Sequence, residues 1–156
     1  MSGRQGALMP SGEIFYVINV EAVVTDGERY LMTVRSQQEE HAAGALALPG
    51  GKVERAGINP RILEETACRE VLEETGIEVD PNPVYLWSSS FVADNSWPVV
   101  DVVFLCRYRS GEPVARQPEE ISEVHWMTSE EIFATPGLPP WTRRSLEEAE
   151  RRKADR

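Results

Sequence analysis

Residues 49–77, PGGKVERAGINPRILEETACREVLEETGI, constrain the chain more than any other stretch. Their last part, REVLEETG, puts Glu70, Glu73 and Glu74 at i, i+3 and i+4, positions that an α-helix turns onto one edge within ~100° of arc. Like charges so close repel one another and call for a compensating cation. A donor set made only of oxygens points to a hard ion, Mg²⁺ before Ca²⁺ or Mn²⁺. A solvated acidic face is the ordinary reading of a glutamate cluster, but Ala67, Cys68, Val71, Leu72 and Thr75 fill the opposite wedge and make this a core helix with one acidic edge. Gly76 is the expected stop. Upstream, Leu48, Pro49, Gly50 and Gly51 follow a short apolar run and read as a turn whose bare backbone can join a metal or phosphate site. Asn59 as N-cap and Pro60 as first helical residue predict that the helix begins there.

Composition narrows the function classes. At 156 residues with 41% hydrophobic content the chain is expected to form one domain. The net charge of −10, from 26 acidic and 16 basic residues, would repel nucleic acid, and no basic stripe offsets it. Small anionic substrates remain open, because metal ions reconcile an acidic cleft with phosphate. No apolar run reaches membrane-spanning length, and the opening MSGRQGALMPSG lacks the apolar core of a signal peptide, so a cytoplasmic location is expected. Cys68 and Cys106 read as buried thiols rather than a disulfide.

Around the helix the pattern is mostly strands. Residues 15–25 and 29–34 flank Asp26 and Gly27 as a hairpin, and residues 36–44 form a polar loop. Residues 84–92 and 99–108 are two strands joined through Asp94, Asn95 and Ser96, and 124–127 is a short last strand. Thr128 and Glu131 make a capping box for a helix through Phe133, and a final helix spans about 142–153. This order gives a layered α/β domain with a mixed sheet. Phe15, Tyr16, Tyr85, Trp87, Phe91, Trp97 and Trp126 are candidates for base stacking, although aromatic residues in strands usually fill the core. Trp97, in the polar turn ADNSWP, is the exception: a rim over the substrate and a homodimer contact both stay open. His41 and His125 lack metal-ligand spacing and read as structural.

The same residues resemble the signature of the Nudix hydrolases, the MutT-like pyrophosphohydrolases that cleave nucleoside diphosphates linked to a further group. Arg69, Glu70, Val71, Leu72, Glu73, Glu74, Thr75, Gly76 and Ile77 match its second half position by position. The first half departs from it: about four residues are inserted, and Arg61 stands where the family has glutamate. Glu65 and Glu54 are the candidates to replace that glutamate as the partner of Arg69. The resemblance implies an α/β/α sandwich with a central mixed sheet. It also implies a Mg²⁺ site, with Mn²⁺ as substitute, formed by Glu70 and Glu74 with the carbonyl of Gly50, and with Glu73 as further ligand or base.

On this reading Arg69 orients the glutamates, since a guanidinium can grip a carboxylate with two hydrogen bonds. Glu119 or Glu120, in QPEEISEV, occupies the place where some family members carry the residue that deprotonates water. Arg35, Lys52 and the Gly51 turn are candidates for substrate phosphate, each with an equal reading as ordinary surface. The expected activity is Mg²⁺-dependent hydrolysis of a phosphoanhydride in a nucleoside triphosphate, ADP-ribose or nucleotide sugar. The alternative is a Nudix-like domain that binds or senses a nucleotide without cleaving it.

Overall fold

The computed structural model describes residues 11–155 apart from Ala56 and Asn95. The opening MSGRQGALMP and the middle residue of the predicted Asp94–Ser96 turn therefore lie outside the described residues. Val17–Thr25 (β1) is a β-branched run at the centre of an eight-stranded mixed sheet. One edge of β1 pairs in parallel with Pro98–Ser110 (β7) along all nine residues, from Val17 opposite Val99 to Thr25 opposite Arg107. Its other edge meets Tyr30–Arg35 (β2) only at the hairpin, Thr25 opposite Tyr30. The two strands then diverge. Leu46–Ala47 (β3) pairs with β2, and Gly50–Lys52 (β4) pairs with β1, so that this short segment wedges the opening apart.

Helix α1, Ile62–Thr75, follows the wedge. Glu78–Val79 (β5) and Val84–Val92 (β6) both pair antiparallel to β7, and Ile121–Met127 (β8) pairs with β2. Ser129–Phe133 (α2) and Pro140–Ala154 (α3) close the chain. Alternation along β1 sorts the two faces of the sheet. Val20, Ala22 and Val24 pack with Phe104 and Cys106 against Ala67 and Val71 of α1, whereas Val23 and Val103 pack with Ile132, Leu146 and Ala149 of α2 and α3. Burying each such valine or leucine contributes about 1.5–3 kcal/mol. Polar ties fix α3: Trp87 Nε1 donates to Ser145 Oγ at 2.9 Å, and Tyr30 Oη donates to Glu150 at 2.6 Å. The result is the predicted α/β class, a mixed sheet between helices.

Several boundaries differ from the sequence reading, each for a local reason. Helix α1 begins at Ile62 rather than Asn59. Asn59 Oδ1 accepts the Arg61 N–H at 2.9 Å, which satisfies that donor in a turn ahead of the helix. Gly50 and Gly51 lie in β4 rather than in a turn, because their backbone pairs with Glu21 and Val20. The last strand starts at Ile121 and the last helix at Pro140, its ring suited to the first helical position. The capping box forms, with the Glu131 N–H donating to Thr128 Oγ1 at 3.2 Å. Among the described residues no helix is long and apolar enough to cross a membrane.

Candidate active site

Glycine decides how closely α1 can approach β4. A Cβ on Gly50 would stand 2.3 Å from the Val20 carbonyl oxygen, and one on Gly51 would stand 2.5 Å from the Glu70 carboxyl group. With no side chain at either position, the acidic edge of α1 lies directly on the strand. The Gly50 N–H donates to Glu74 Oε2 at 3.2 Å, and Glu74 is buried at 6% exposure. Burial first, and then the charges of Glu70 and Glu120, push its pKa up to about 8, against the opposing Gly50 N–H. Burial likewise raises that of Glu70, countered chiefly by Arg69. Each carboxyl group lies in the field of the other, and the Glu70 charge adds to burial in raising the pKa of Glu74. Burial and mutual repulsion thus favour a proton, or a cation in its place, between the two acids.

The structure brings Glu70 and Glu74 together but turns Glu73 aside. Glu73 is exposed and accepts from Arg69 Nη1 at 3.1 Å; the same nitrogen donates to Glu70 Oε1 at 3.0 Å and to Glu54 Oε1 at 3.5 Å. Glu54 is therefore a partner of Arg69. Glu65 is not: its carboxylate accepts from Asn59 Nδ2 at 2.6 Å. Among the described residues no three His, Cys, Asp or Glu side chains are gathered tightly enough to hold an ion. Arg61, the odd residue of the signature, faces the other end of α1 and donates to the Pro81 carbonyl at 2.6 Å and to Asn82 Oδ1 at 3.3 Å.

The outlying candidates are dispersed. Glu119 and Glu120 are exposed on the segment before β8, and of the two the Glu120 charge reaches Glu74. Arg35 holds its own loop, donating to the His41 carbonyl at 2.9 Å and to Glu39 at 3.2 Å. Lys52 is exposed at the end of β4, opposite Asn19 of β1. Trp87 and Trp126 are partly buried, but Phe15, Tyr16, Tyr85, Phe91 and Trp97 are all exposed, so most of the aromatic candidates do not fill the core. His41 and His125 pair with Asp94 and Glu123 on the surface instead of packing inside. Cys68 and Cys106 are free thiols, Cys106 buried. A cavity of about 260 Å³ lined by Thr25, Asp80, Asn82 and Cys106 contains none of the predicted site residues.

Sequence reasoning missed a second acidic pair beside the glycines. Glu21 of β1 stands opposite Gly50, and burial together with a hydrogen bond to Asp101 raises its pKa well above the carboxylate range, opposed by Arg35. Asp101 of β7, 6% exposed, accepts from Asn19 Nδ2 at 2.8 Å. The signal was present as single acids interrupting the apolar runs VINVEAVV and VVDVVF.

Comparison with protein families matches the NUDIX domain over residues 15–149. The chain belongs to the Nudix family. It is 32% identical over 108 residues to the NAD-capped RNA hydrolase NudC of Escherichia coli O1:K1 / APEC, which covers 67% of this chain and 36% of that protein. It is 35% identical over 113 residues to an uncharacterized Nudix hydrolase of Yersinia pestis, covering 72% of this chain and 58% of the other. The chain thus spans about one third to three fifths of the length of these curated relatives. The crystal structure of a MutT NUDIX hydrolase from Burkholderia pseudomallei superposes with a TM-score of 0.71 at 27% identity, over 86% of this chain and 98% of that one.

Proposed function

We propose that the chain is a Mg²⁺-dependent pyrophosphohydrolase that cleaves a phosphoanhydride in a nucleoside diphosphate joined to another group, such as a nucleoside triphosphate, ADP-ribose or a nucleotide sugar. One observation carries the reading: Glu70 lies against side-chain-free Gly51 and buried Glu74 accepts the Gly50 N–H, so that two acids whose burial and mutual charge call for a compensating cation share one edge. The donor set suits a hard divalent ion, with Mn²⁺ as substitute for Mg²⁺. Glu70 and Glu74 would hold it, the Gly50 carbonyl and Glu73 being the further candidates. Bound there, the cation supplies neutralisation of the phosphate oxygens and acidifies water.

The chain's own residues account for the remaining requirements. A phosphoanhydride resists water mainly because its oxygens repel a nucleophile, so catalysis is positioning plus charge compensation. Arg69 ties Glu70, Glu73 and Glu54 to one guanidinium and so limits the rotamers of the acidic edge. Gly51, with no side chain, lets the Glu70 carboxylate lie directly against β4. Glu120, whose charge is felt at Glu74, is the candidate to accept a proton from water. Lys52, in the glycine strand itself, and Arg35 are the candidate cations for the outer phosphate, Arg35 once it leaves Glu39.

The test is a hydrolysis panel with Mg²⁺ and with Mn²⁺, scored by product identity, across nucleoside triphosphates, ADP-ribose, nucleotide sugars and NAD-capped RNA. The last is included because the Escherichia coli relative is named for it. Release of a nucleoside monophosphate or pyrophosphate is expected from at least one small-molecule class, given a net charge of −10 that disfavours RNA. A nucleotide that raises the melting temperature while none is cleaved would replace this reading with nucleotide sensing.

A further inference from the structure

Helix α1 ends in an unusual electrostatic position. Its last turn carries Glu73 and Glu74 and no basic residue, so the negative end of the helix dipole lies beside acidic side chains. The cation that faces this end comes from 40 residues further along the chain. Arg116 Nη1 donates to the Leu72 carbonyl at 3.4 Å, its backbone N–H donates to the Glu74 carbonyl at 3.1 Å, and the Val114 N–H donates to the Thr75 carbonyl at 2.9 Å. The segment that bears them lies against the helix stop as closely as backbone permits. A Cβ on Gly111, at φ +103°, would fall 2.6 Å from the Gly76 carbonyl oxygen, and one on Gly76 would meet Val114 and Arg116 at 3.1 and 3.3 Å.

Three residues lie between Arg116 and Glu120. A turn in which the Gln117 carbonyl accepts from the Glu120 and Ile121 N–H groups bridges the gap, and the Ser36 N–H donates to the Glu120 carbonyl at 2.8 Å. The backbone of Glu120 is thereby held between the end of α1 on one side and the end of β2 on the other. We propose that Arg116 is a positioning residue, whose guanidinium docks the 111–120 segment on the C-terminal carbonyls of α1 and so sets Glu120 against the Glu70–Glu74 pair. The inference rests on the pyrophosphohydrolase reading for its kinetic consequence, but its structural consequence is independent of it.

Two arms keep these apart. In Arg116→Gln, hydrogen exchange at the Val114 and Arg116-position amides is expected to rise at least about fivefold while the amides in the middle of α1 exchange as in the parent. In steady-state kinetics the same variant is expected to lose about five- to tenfold in kcat with KM changed less than about twofold, and Arg116→Lys to recover most of the loss. In a Glu120→Gln background the substitution should add less than about twofold, because the residue it positions is already disabled. Unchanged exchange in Arg116→Gln, or a kcat loss that multiplies in full on Glu120→Gln, overturns the proposal. If the parent cleaves no phosphoanhydride, the hydrolase reading fails, and the exchange arm alone then decides whether Arg116 docks the segment.

Discussion

The two ends of α1 were subject to different constraints. At its start, Asn59 accepts the Arg61 N–H in a turn ahead of the helix, and Arg61 braces the helix against Pro81 and Asn82. At its end, every neighbour is fixed: glycines at 50, 51, 76 and 111 admit close backbone approach, Glu74 is buried, and Arg69 and the 111–116 segment clamp the acidic edge. An insertion is tolerated at the first end because its donors find partners in the turn. It would not be tolerated at the second, where a displacement of one Cβ meets backbone or carboxylate. The end that departs from the Nudix signature is architectural, and the end that matches it holds the proposed chemistry.

The comparison can be broken most directly at Glu74. Glu74→Gln keeps the side chain's shape but removes the carboxyl group that can ionise to hold a cation, and turnover is expected to fall about a hundred- to a thousandfold in a steady-state assay, with the fold retained by circular dichroism. A variant as fast as the parent would end the assignment. Next in size is Gly51→Ala, whose Cβ would contact the Glu70 carboxylate; about ten- to a hundredfold is expected in kcat, measured beside Gly57→Ala in the exposed turn before α1, which should cost stability without a comparable kinetic loss.

A pH titration sharpens the contrast. Glu74 is an ordinary carboxyl in the unfolded chain but is pushed up to about 8 in the fold, so between its ordinary value of 4.5 and about 8 the folded state holds the extra proton. Metal-free stability should therefore decline as pH rises through that window, and Glu74→Gln should flatten the decline, as read by melting temperature in chelator. The smallest effect is expected at the other end. Arg61→Ala loses two exposed hydrogen bonds and should cost about 1 kcal/mol in denaturant unfolding while changing kcat less than about twofold.

The same division explains what was legible in the sequence. The acidic edge, the Gly76 stop and the Thr128–Glu131 cap were visible because each depends on neighbours within four residues of chain. The turning aside of Glu73 was not visible, since it depends on which rotamer Arg69 adopts against Glu54, 15 residues away. Nor was the wedge of β3 and β4, which turns an apparent glycine turn into a strand only because β1 and β2 diverge. Glu21 and Asp101 were overlooked for the same reason: their pairing requires the parallel register of β1 on β7, a contact across 80 residues.

The central claim is that Glu70 and Glu74 exchange a shared proton for a divalent cation. Calorimetric titration of Mg²⁺ or Mn²⁺ into the protein near pH 7, repeated in buffers of different ionisation enthalpy, counts the protons released on binding. Release of about one proton per bound ion, lost together with tight binding in Glu74→Gln, is the predicted result. Binding that releases no proton, or that is undiminished in Glu74→Gln, would place the ion elsewhere and contradict the account.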